Sequence, residues 1–530
     1  MALLAIKDLT IALPPGADRP LAVEEVSLEV SPKEIVCIVG ESGSGKSLTA
    51  HAVMGLLPGR VAATAGSILF DGADLLRETP EALRKRRGRD IAMIFQDPMA
   101  ALNPVVTIGR QVTEQIRAHE HISEAAALKR AAELLAEMGL KDVPALLKAY
   151  PHQLSGGQRQ RVMIAMALSL SPRLLIADEP TTALDVTTQA QILKLIRRLQ
   201  AEREMSVLFI THDFGVVADM ADKVVVMRHG RVVEKGATSA VLGAPGHSYT
   251  RALIAAVPKG DKYLPPAPEA APLVMVKDLT KRFRRGGLFS RAPHVTAVNA
   301  VSLTLRRGET LGIVGESGSG KSTLARCVIR LLDPDAGEVR LEDADIAHMK
   351  EKSLRPLRRR IQMVFQDPFS SLNPRETVAD ILIAGPKSFG ENVPEAKARA
   401  AEMLRLVGLN PQTMHRFPHE FSGGQRQRIG LARALMVKPD VLIADEPVSA
   451  LDVTVQAQVL KLLDEVRQQM NLAMLFITHD MRVAAEVCHR VMVMRQGEVV
   501  EEGPTRDIFT APASDYTRAL LAAIPGHGAL

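Results

Sequence analysis

The ten residues from Ile38 to Ser47, IVGESGSGKS, recur letter for letter from Ile313 to Ser322. Each copy follows a short apolar run, Glu34–Val39 or Thr310–Val314, and precedes good helix formers at helical spacing. A strand that turns through glycines into a helix leaves few folds open. The loop's backbone N–H groups converge on one point, and the carboxyl end of the sheet must stay free for what they bind.

The duplication runs along the whole chain. The interval is 275 residues between Lys46 and Lys321 and 270 between the FQDP motifs at Phe95 and Phe365. It settles at 267 for SGGQRQR (Ser155, Ser422), IADEP (Ile176, Ile443), FITHD (Phe209, Phe476) and YTRAL (Tyr249, Tyr516). A period this long predicts two whole domains and excludes a solenoid of short repeats. The expected division is a first domain at residues 1–257, a linker at 258–272 and a second domain at 273–530. Pro258, Pro265, Pro266, Pro268 and Pro272 make the linker stiff and extended. At about 3.1 Å per residue it would reach about 45 Å, enough for the halves to face each other.

The runs RLLIADE, VLIADE, SVLFITHD and AMLFITHD read as buried strands alternating with helices, which predicts an α/β fold with a largely parallel sheet. The polar motif residues fall at the carboxyl ends of these strands, where such sheets bind ligands. Between Gln96 and Ser155 the pattern turns helical. Ser123–Leu140 places Leu128, Ala131, Leu135 and Met138 on one face, with Ser123 as N-cap and Gly139 as stop. Pro394–Leu409 matches it in the second half, with Pro394 in the first turn. Each half therefore carries a helical insert.

Composition excludes several classes. Aromatics are 3% of the 530 residues and tryptophan is absent, which argues against stacking platforms for single-stranded nucleic acid. The net charge of +6 is small for the length. The basic run Lys281–Arg291 reads as a solvated hairpin loop rather than a nucleic-acid patch. Cys37, Cys327 and Cys488 form no C-x-x-C pair, so neither a disulfide framework nor a metal cluster is expected. Lys7 and Asp8 interrupt the N-terminal apolar run too early for a secretory signal, and no window of about twenty residues is apolar throughout. A cytosolic protein is expected, able to dock on a membrane protein.

The motifs carry a specific chemistry. GESGSGKS fits G-x-x-x-x-G-K-[ST], whose backbone amides cradle phosphate oxygens. The phosphate-binding set is then Gly40, Glu41, Ser42, Gly43, Ser44, Gly45, Lys46 and Ser47, with Gly315, Glu316, Ser317, Gly318, Ser319, Gly320, Lys321 and Ser322 as its second copy. Lys46 and Lys321 are expected to reach the β- and γ-phosphates, and the hydroxyls of Ser47 and Ser322 to face Mg²⁺. Asp178 and Asp445 end apolar strands and suit Mg²⁺ through its water shell. Glu179 and Glu446 follow directly, where a carboxylate can polarise the attacking water. Gln96 and Gln366 can touch the metal or that water. His212 and His479, at the same place after a buried strand in both copies, suggest contact with the γ-phosphate. Ser155, Gly156, Gly157 and Gln158, and likewise Ser422, Gly423, Gly424 and Gln425, open a helix and make a second anion site in each half.

In this combination and order, with ALD at Ala183–Asp185 and Ala450–Asp452, the chain resembles the ATP-binding cassette family over both halves. The resemblance implies two tandem P-loop NTPase domains, each a RecA-like core with an antiparallel β subdomain and a helical insert. It implies an ATPase with Mg²⁺ as cofactor and a head-to-tail pairing of cassettes. Gly40–Ser47, Gln96, Asp178, Glu179 and His212 would be completed by Ser422–Gln425. Gly315–Ser322, Gln366, Asp445, Glu446 and His479 would be completed by Ser155–Gln158. FQDPMAALNP, FQDPFSSLNP, YPHQLSGGQRQRV, HSYTRALIAAVP and SDYTRALLAAIP narrow the resemblance to the ATPases of peptide and nickel importers. The fused length is similar to the microcin C-type peptide importers, with glutathione importers usually longer.

That family implies two transmembrane permease subunits, a periplasmic substrate-binding protein, a place on the cytoplasmic face of the bacterial inner membrane, and no nucleic acid. Nickel, glutathione or oligosaccharide are the alternative solutes. A soluble double cassette acting on ribosomes or DNA is the rival class. Its long charged helical linker or zinc cysteines have no counterpart here. A scaffold that binds nucleotide without hydrolysis is disfavoured by the presence of both Glu179 and Glu446. The sequence departs from the family pattern twice. No cysteine cluster follows either YTRAL, so no iron–sulfur cluster is expected. The family's adenine-stacking aromatic is matched by Phe283 in the second half but by Leu13 in the first.

Overall fold

The computed structural model describes residues 2–17, 19–181, 184–267, 269–284, 294–367, 371–449 and 451–526. Ala183, Ala450 and most of the basic run after Arg284 lie outside the described residues. The chain forms two compact units: residues 1–257 with the short tail from Pro525, and Pro258–Ile524.

In the first unit, β1 (Leu4–Ala12), β2 (Leu21–Val30), β4 (Ala62–Phe70) and β5 (Ala73–Asp74) form an antiparallel sheet in the order β2-β1-β4-β5. The larger sheet contains β3 (Ile35–Val39), β6 (Ile91–Ile94), β7 (Leu174–Asp178), β8 (Ser206–Ile210), β9 (Lys223–Arg228) and β10 (Arg231–Ala237), in the order β10-β9-β3-β8-β7-β6. Its strands are parallel except the hairpin β9–β10. All five residues of β3, β7 and β8 are buried, as expected for strands covered on both faces.

The second unit repeats the plan. β11 (Pro272–Arg284), β12 (His294–Arg306), β14 (Ala336–Leu341) and β15 (Ala344–Asp345) make the antiparallel sheet. β16 (Ile361–Val364), β17 (Val441–Asp445), β18 (Ala473–Thr478), β13 (Thr310–Val314), β19 (Arg490–Arg495) and β20 (Glu498–Pro504) follow one another in the larger sheet.

The helical insert of the first unit lies between β6 and β7 in the chain. Its helix Glu124–Glu137 is capped by Ser123, whose hydroxyl accepts from the Ala126 N–H. The buried stripe differs from the expected one. Ala127, Ala131, Leu134, Leu135 and Met138 are inside, while Leu128 is 43% exposed. The true stripe spaces its members by three and four residues starting one position earlier, and alanines at 127 and 131 let neighbouring helices approach. The matching helix of the second unit, Val393–Leu406, carries Pro394 in its first turn.

The Pro-rich segment before β11 is irregular and packs on the second unit. The Lys259 N–H donates to Glu486 at 3.3 Å, and the Tyr263 ring lies 6.0 Å from that of Phe509. With Arg306, His489, Arg490 and the stretch Pro504–Thr510 it lines a cavity of about 1060 Å³.

Candidate functional site

Each glycine loop joins the central strand of the larger sheet to a helix, Lys46–Val53 or Lys321–Val328. Neither helix has a side-chain cap, and a helix N-terminus favours an anionic acceptor. The loop is pressed against the neighbouring strand: a Cβ on Gly40 would stand 2.1 Å from the Met227 carbonyl oxygen, and one on Gly315 2.2 Å from that of Met494. Gly40 and Gly315 also sit at φ of 150° and 148°, which favours glycine.

Lys46 Nζ donates to the carbonyls of Gly40 and Glu41 at 2.7 and 2.9 Å, and Lys321 Nζ to those of Gly315 and Glu316 at 2.8 Å each. Both ammonium groups are buried within their loops. Ser47 Oγ donates to Asp178 Oδ1 at 3.0 Å, and Ser322 Oγ to Asp445 Oδ1 at 2.8 Å. Burial, joined by the adjacent Glu179 or Glu446, raises the pKa of Asp178 and Asp445 above the ordinary carboxylate value despite the serine bond. A hydroxyl beside a buried carboxylate that lacks sufficient countercharge is a hard-oxygen donor set suited to Mg²⁺.

Beside this pair the structure assembles a second group. Gln96 Nε2 donates to Glu179 Oε2 at 3.0 Å, and His212 Nδ1 lies 3.4 Å from Glu179 Oε1. In the second unit Gln366 Nε2 donates to Glu446 Oε2 at 2.8 Å, with His479 Nδ1 3.5 Å from the same oxygen. Burial opposes charge on His212 and His479, but their glutamate partners outweigh it and hold both pKa values above the ordinary imidazole value. Burial likewise works to raise Glu446, yet the His479 bond and charge bring it below the usual value.

Glu179 and Glu446 have φ of 45° and 47°, in the left-handed region uncommon for residues with a side chain. Their N–H groups still bond the Ile210 and Ile477 carbonyls at 2.9 and 3.0 Å. The strand ladder therefore runs up to the carboxylate and turns sharply there, a strain of the kind that collects at functional sites.

Ser155 and Ser422 cap the helices Gly156–Ala167 and Gly423–Leu435. Each accepts from the N–H of Gln158 or Gln425, whose side chain accepts in return. These bonds close on the motif itself, and Ser155, Gly156, Gln158, Ser422 and Gln425 are exposed. Gly157 and Gly424 serve packing as well: a Cβ there would meet Thr188 Cγ2 at 2.7 Å or Val455 Cγ1 at 2.4 Å.

The base-stacking candidates differ. Phe283, near the end of β11, is 40% exposed, with Lys281 Nζ 5.7 Å from its ring centre. Leu13 packs against the first unit's core. Three residues went unnoticed as site components in the sequence. Arg19 donates to the carbonyls of Ala22 and Gly43. Tyr249 and Tyr516 bond the loops at Glu41 and Glu316. The recurrence of YTRAL in both halves was the available signal for the tyrosines.

Comparison with known proteins places the chain among relatives. The family described as "ABC transporter" matches residues 23–182 and 298–449. "Oligopeptide/dipeptide transporter, C-terminal region" matches residues 233–284 and 500–529. The peptidoglycan transport ATP-binding protein YejF of Agrobacterium fabrum is 50% identical, covering 98% of this chain and 96% of its own length. The glutathione import ATP-binding protein GsiA of Escherichia coli K12 is 47% identical, covering 98% and 89%. Among solved structures, a dimeric bacterial ABC transporter cassette aligns with 44% of this chain and 98% of its own, at 31% identity and TM-score 0.41.

Proposed function

The chain belongs to the ABC transporter family, and on that premise we propose that it is the ATP-hydrolysing subunit of a binding-protein-dependent importer of peptides. The observation that carries the solute class is the oligopeptide/dipeptide region matched after both cassettes. The relative named for peptidoglycan transport supports it, since peptidoglycan carries peptide stems, and the one named for glutathione import bears on the alternative solute.

In this reading each glycine loop holds the phosphates of ATP, and the ammonium of Lys46 or Lys321, held at its loop carbonyls, has a further N–H to give to the β- and γ-phosphates. Ser47 with Asp178, and Ser322 with Asp445, would hold Mg²⁺, which would supply positive charge against the phosphates. Glu179 or Glu446 accepts a proton from water as the water oxygen bonds the γ-phosphorus and the bridging P–O bond to ADP breaks. Gln96 or Gln366 fixes that carboxylate by an amide N–H, and His212 meets its other oxygen while His479 meets the same one, each imidazole facing the γ-phosphate.

The reading completes each ATP site with the other cassette's SGGQ, whose helix starts at Ser155 and Ser422 are exposed. Among the described residues no helix is long and apolar enough to cross a membrane. The reading assigns the passage to two permease subunits and solute delivery to a periplasmic binding protein, with this chain at the cytoplasmic face of the inner membrane.

Reconstitution of the chain with its permeases and binding protein in proteoliposomes tests the proposal. ATP-dependent uptake of labelled tri- to pentapeptides is the expected result, with glutathione, Ni²⁺ and an oligosaccharide offered in parallel. Uptake of one of those three and not of peptides would overturn the solute assignment. Co-purification with ribosomes in place of membranes would overturn the importer reading.

A further inference from the structure

A single peptide group in each loop is held from both edges. The carbonyl of Gly40 accepts from Lys46 Nζ at 2.7 Å, and the N–H of the same peptide, that of Glu41, donates to the Tyr249 hydroxyl at 3.3 Å. In the second unit Gly315 O accepts from Lys321 Nζ at 2.8 Å and the Glu316 N–H donates to the Tyr516 hydroxyl at 3.3 Å. A planar trans peptide points its C=O and N–H in opposite directions. The lysine and the tyrosine therefore pull on one rigid plate from opposite sides, and bonds chained through an amide strengthen one another.

The tyrosine is itself locked. Burial, with the carboxylate of Glu41 or Glu316 as the nearby negative charge, raises the pKa of each tyrosine to about 12, so its hydroxyl stays neutral. Arg228 lies 4.7 Å from the Tyr249 ring centre and Arg495 4.9 Å from that of Tyr516. The helix carrying Tyr249 is fixed from β10, where Glu234 accepts from the N–H groups of Gly246 and His247 at 2.7 and 3.2 Å. Glu501 on β20 does the same for Ala513 and Ser514 at 2.7 and 3.1 Å. Neither tyrosine belongs to the stretch matched as ABC transporter; both lie in the matched oligopeptide/dipeptide region.

We infer that Tyr249 and Tyr516 are positioning residues for ATP, through which the C-terminal module of each cassette sets the glycine loop and its lysine. The inference rests on the reading of the two loops as ATP sites. It gives the second loop position a role: the N–H groups of Glu41 and Glu316 meet the tyrosines. It also makes ATP affinity sensitive to whatever moves the helices Ser248–Ala255 and Asp515–Ala522. Without the hydroxyl, the Gly40–Glu41 peptide loses its tyrosine anchor, and glycine at position 40 brings no side chain to resist its rotation.

The test uses the full chain in the assembled transporter. Tyr249→Phe with Tyr516→Phe removes two hydroxyls and leaves ring, stacking and packing in place. The KM for ATP is expected to rise about two- to tenfold, the loss of one net hydrogen bond per site, with kcat within about twofold and an unchanged melting temperature. Glu41→Gln with Glu316→Gln is expected to raise KM as well, and the combined variant to show less than the product of the two effects, because both break one contact. A wild-type KM in the phenylalanine variant, or a fall in kcat and melting temperature at constant KM, would overturn the inference. Lys46→Ala with Lys321→Ala separates the two levels. Loss of ATP binding there beside a wild-type phenylalanine variant would sink only the tyrosine role. Retention of wild-type ATP binding would sink the loop assignment on which it stands.

Discussion

In the first unit the loop lysine bonds its glycine carbonyl at 2.7 Å and the loop serine bonds its aspartate at 3.0 Å; in the second both distances are 2.8 Å. A few residues away the units part. Leu13 packs into the core where Phe283 exposes a ring, and Arg19 binds the tip of the first loop through Gly43. At the strand that flanks the loop strand, Asp222 accepts from the Ile35 N–H at 2.8 Å in the first unit. His489 accepts from the Thr310 N–H at 3.0 Å in the second. What would meet phosphate is duplicated and what would meet the base is not. Triphosphates present one geometry to any site, so backbone amides, a lysine and two carboxylates leave little freedom. A purine face accepts an aromatic ring, a guanidinium or an aliphatic wall, so that part of each unit has room to diverge.

The largest effect probes the half of the comparison that is alike. Glu179→Gln and Glu446→Gln keep the shape of the cluster with Gln96 or Gln366 and remove the proton acceptor. Phosphate release by the assembled transporter is expected to fall in each single variant, and by about a hundredfold or more in the double variant. Equal losses in the two singles would sharpen the equivalence of the sites. A loss confined to one would break it and make the other a binding site without turnover.

A smaller effect probes the half that differs. With one site silenced by Lys46→Ala or Lys321→Ala, nucleotide titration reads the other alone. Phe283→Ala is expected to weaken the second site about two- to tenfold, and Leu13→Tyr to tighten the first by a similar factor. Arg19→Ala is expected to loosen the first site about twofold, since it releases the Gly43 carbonyl. Equal wild-type affinities, unmoved by Leu13→Tyr, would remove the asymmetry.

Much of this was legible in the chain because the constraints are local. A glycine loop between an apolar strand and a helix declares itself within a dozen residues, as do buried strands ending in Asp-Glu. The grouping of Gln96 with Glu179 and His212 followed from the rule that parallel sheets gather polar residues at their carboxyl ends. What escaped depends on distant packing. Leu128 fits the helical period yet faces out, because alanines at 127 and 131 serve the close helix contact better. Tyr249 bonds a loop 208 residues away, and nothing beside it in sequence is catalytic in character. The left-handed turn at Glu179 and Glu446 leaves no compositional trace, since no glycine marks it.

The smallest effect follows from three histidines, His212 and His479, which are half-buried, and His489, which is buried. His212 and His479 have folded pKa values above the ordinary 6.5, because their glutamates outweigh burial. Each pair's stabilisation is therefore complete below about pH 6.5 and is lost as pH rises through the folded value. His489 has the opposite sign. Burial and then Arg467 lower its pKa, so its protonation on acidification below 6.5 costs the folded second unit stability. Acidification from about pH 7.5 to about pH 6 thus favours the first unit through His212, while in the second His479 and His489 oppose each other. Calorimetry should show the first unit's transition rising relative to the second's by on the order of 1–2 °C. The substitution His489→Asp, which installs the first unit's residue at that position, should abolish the difference. An unchanged difference in that variant would place the pH-sensitive asymmetry elsewhere.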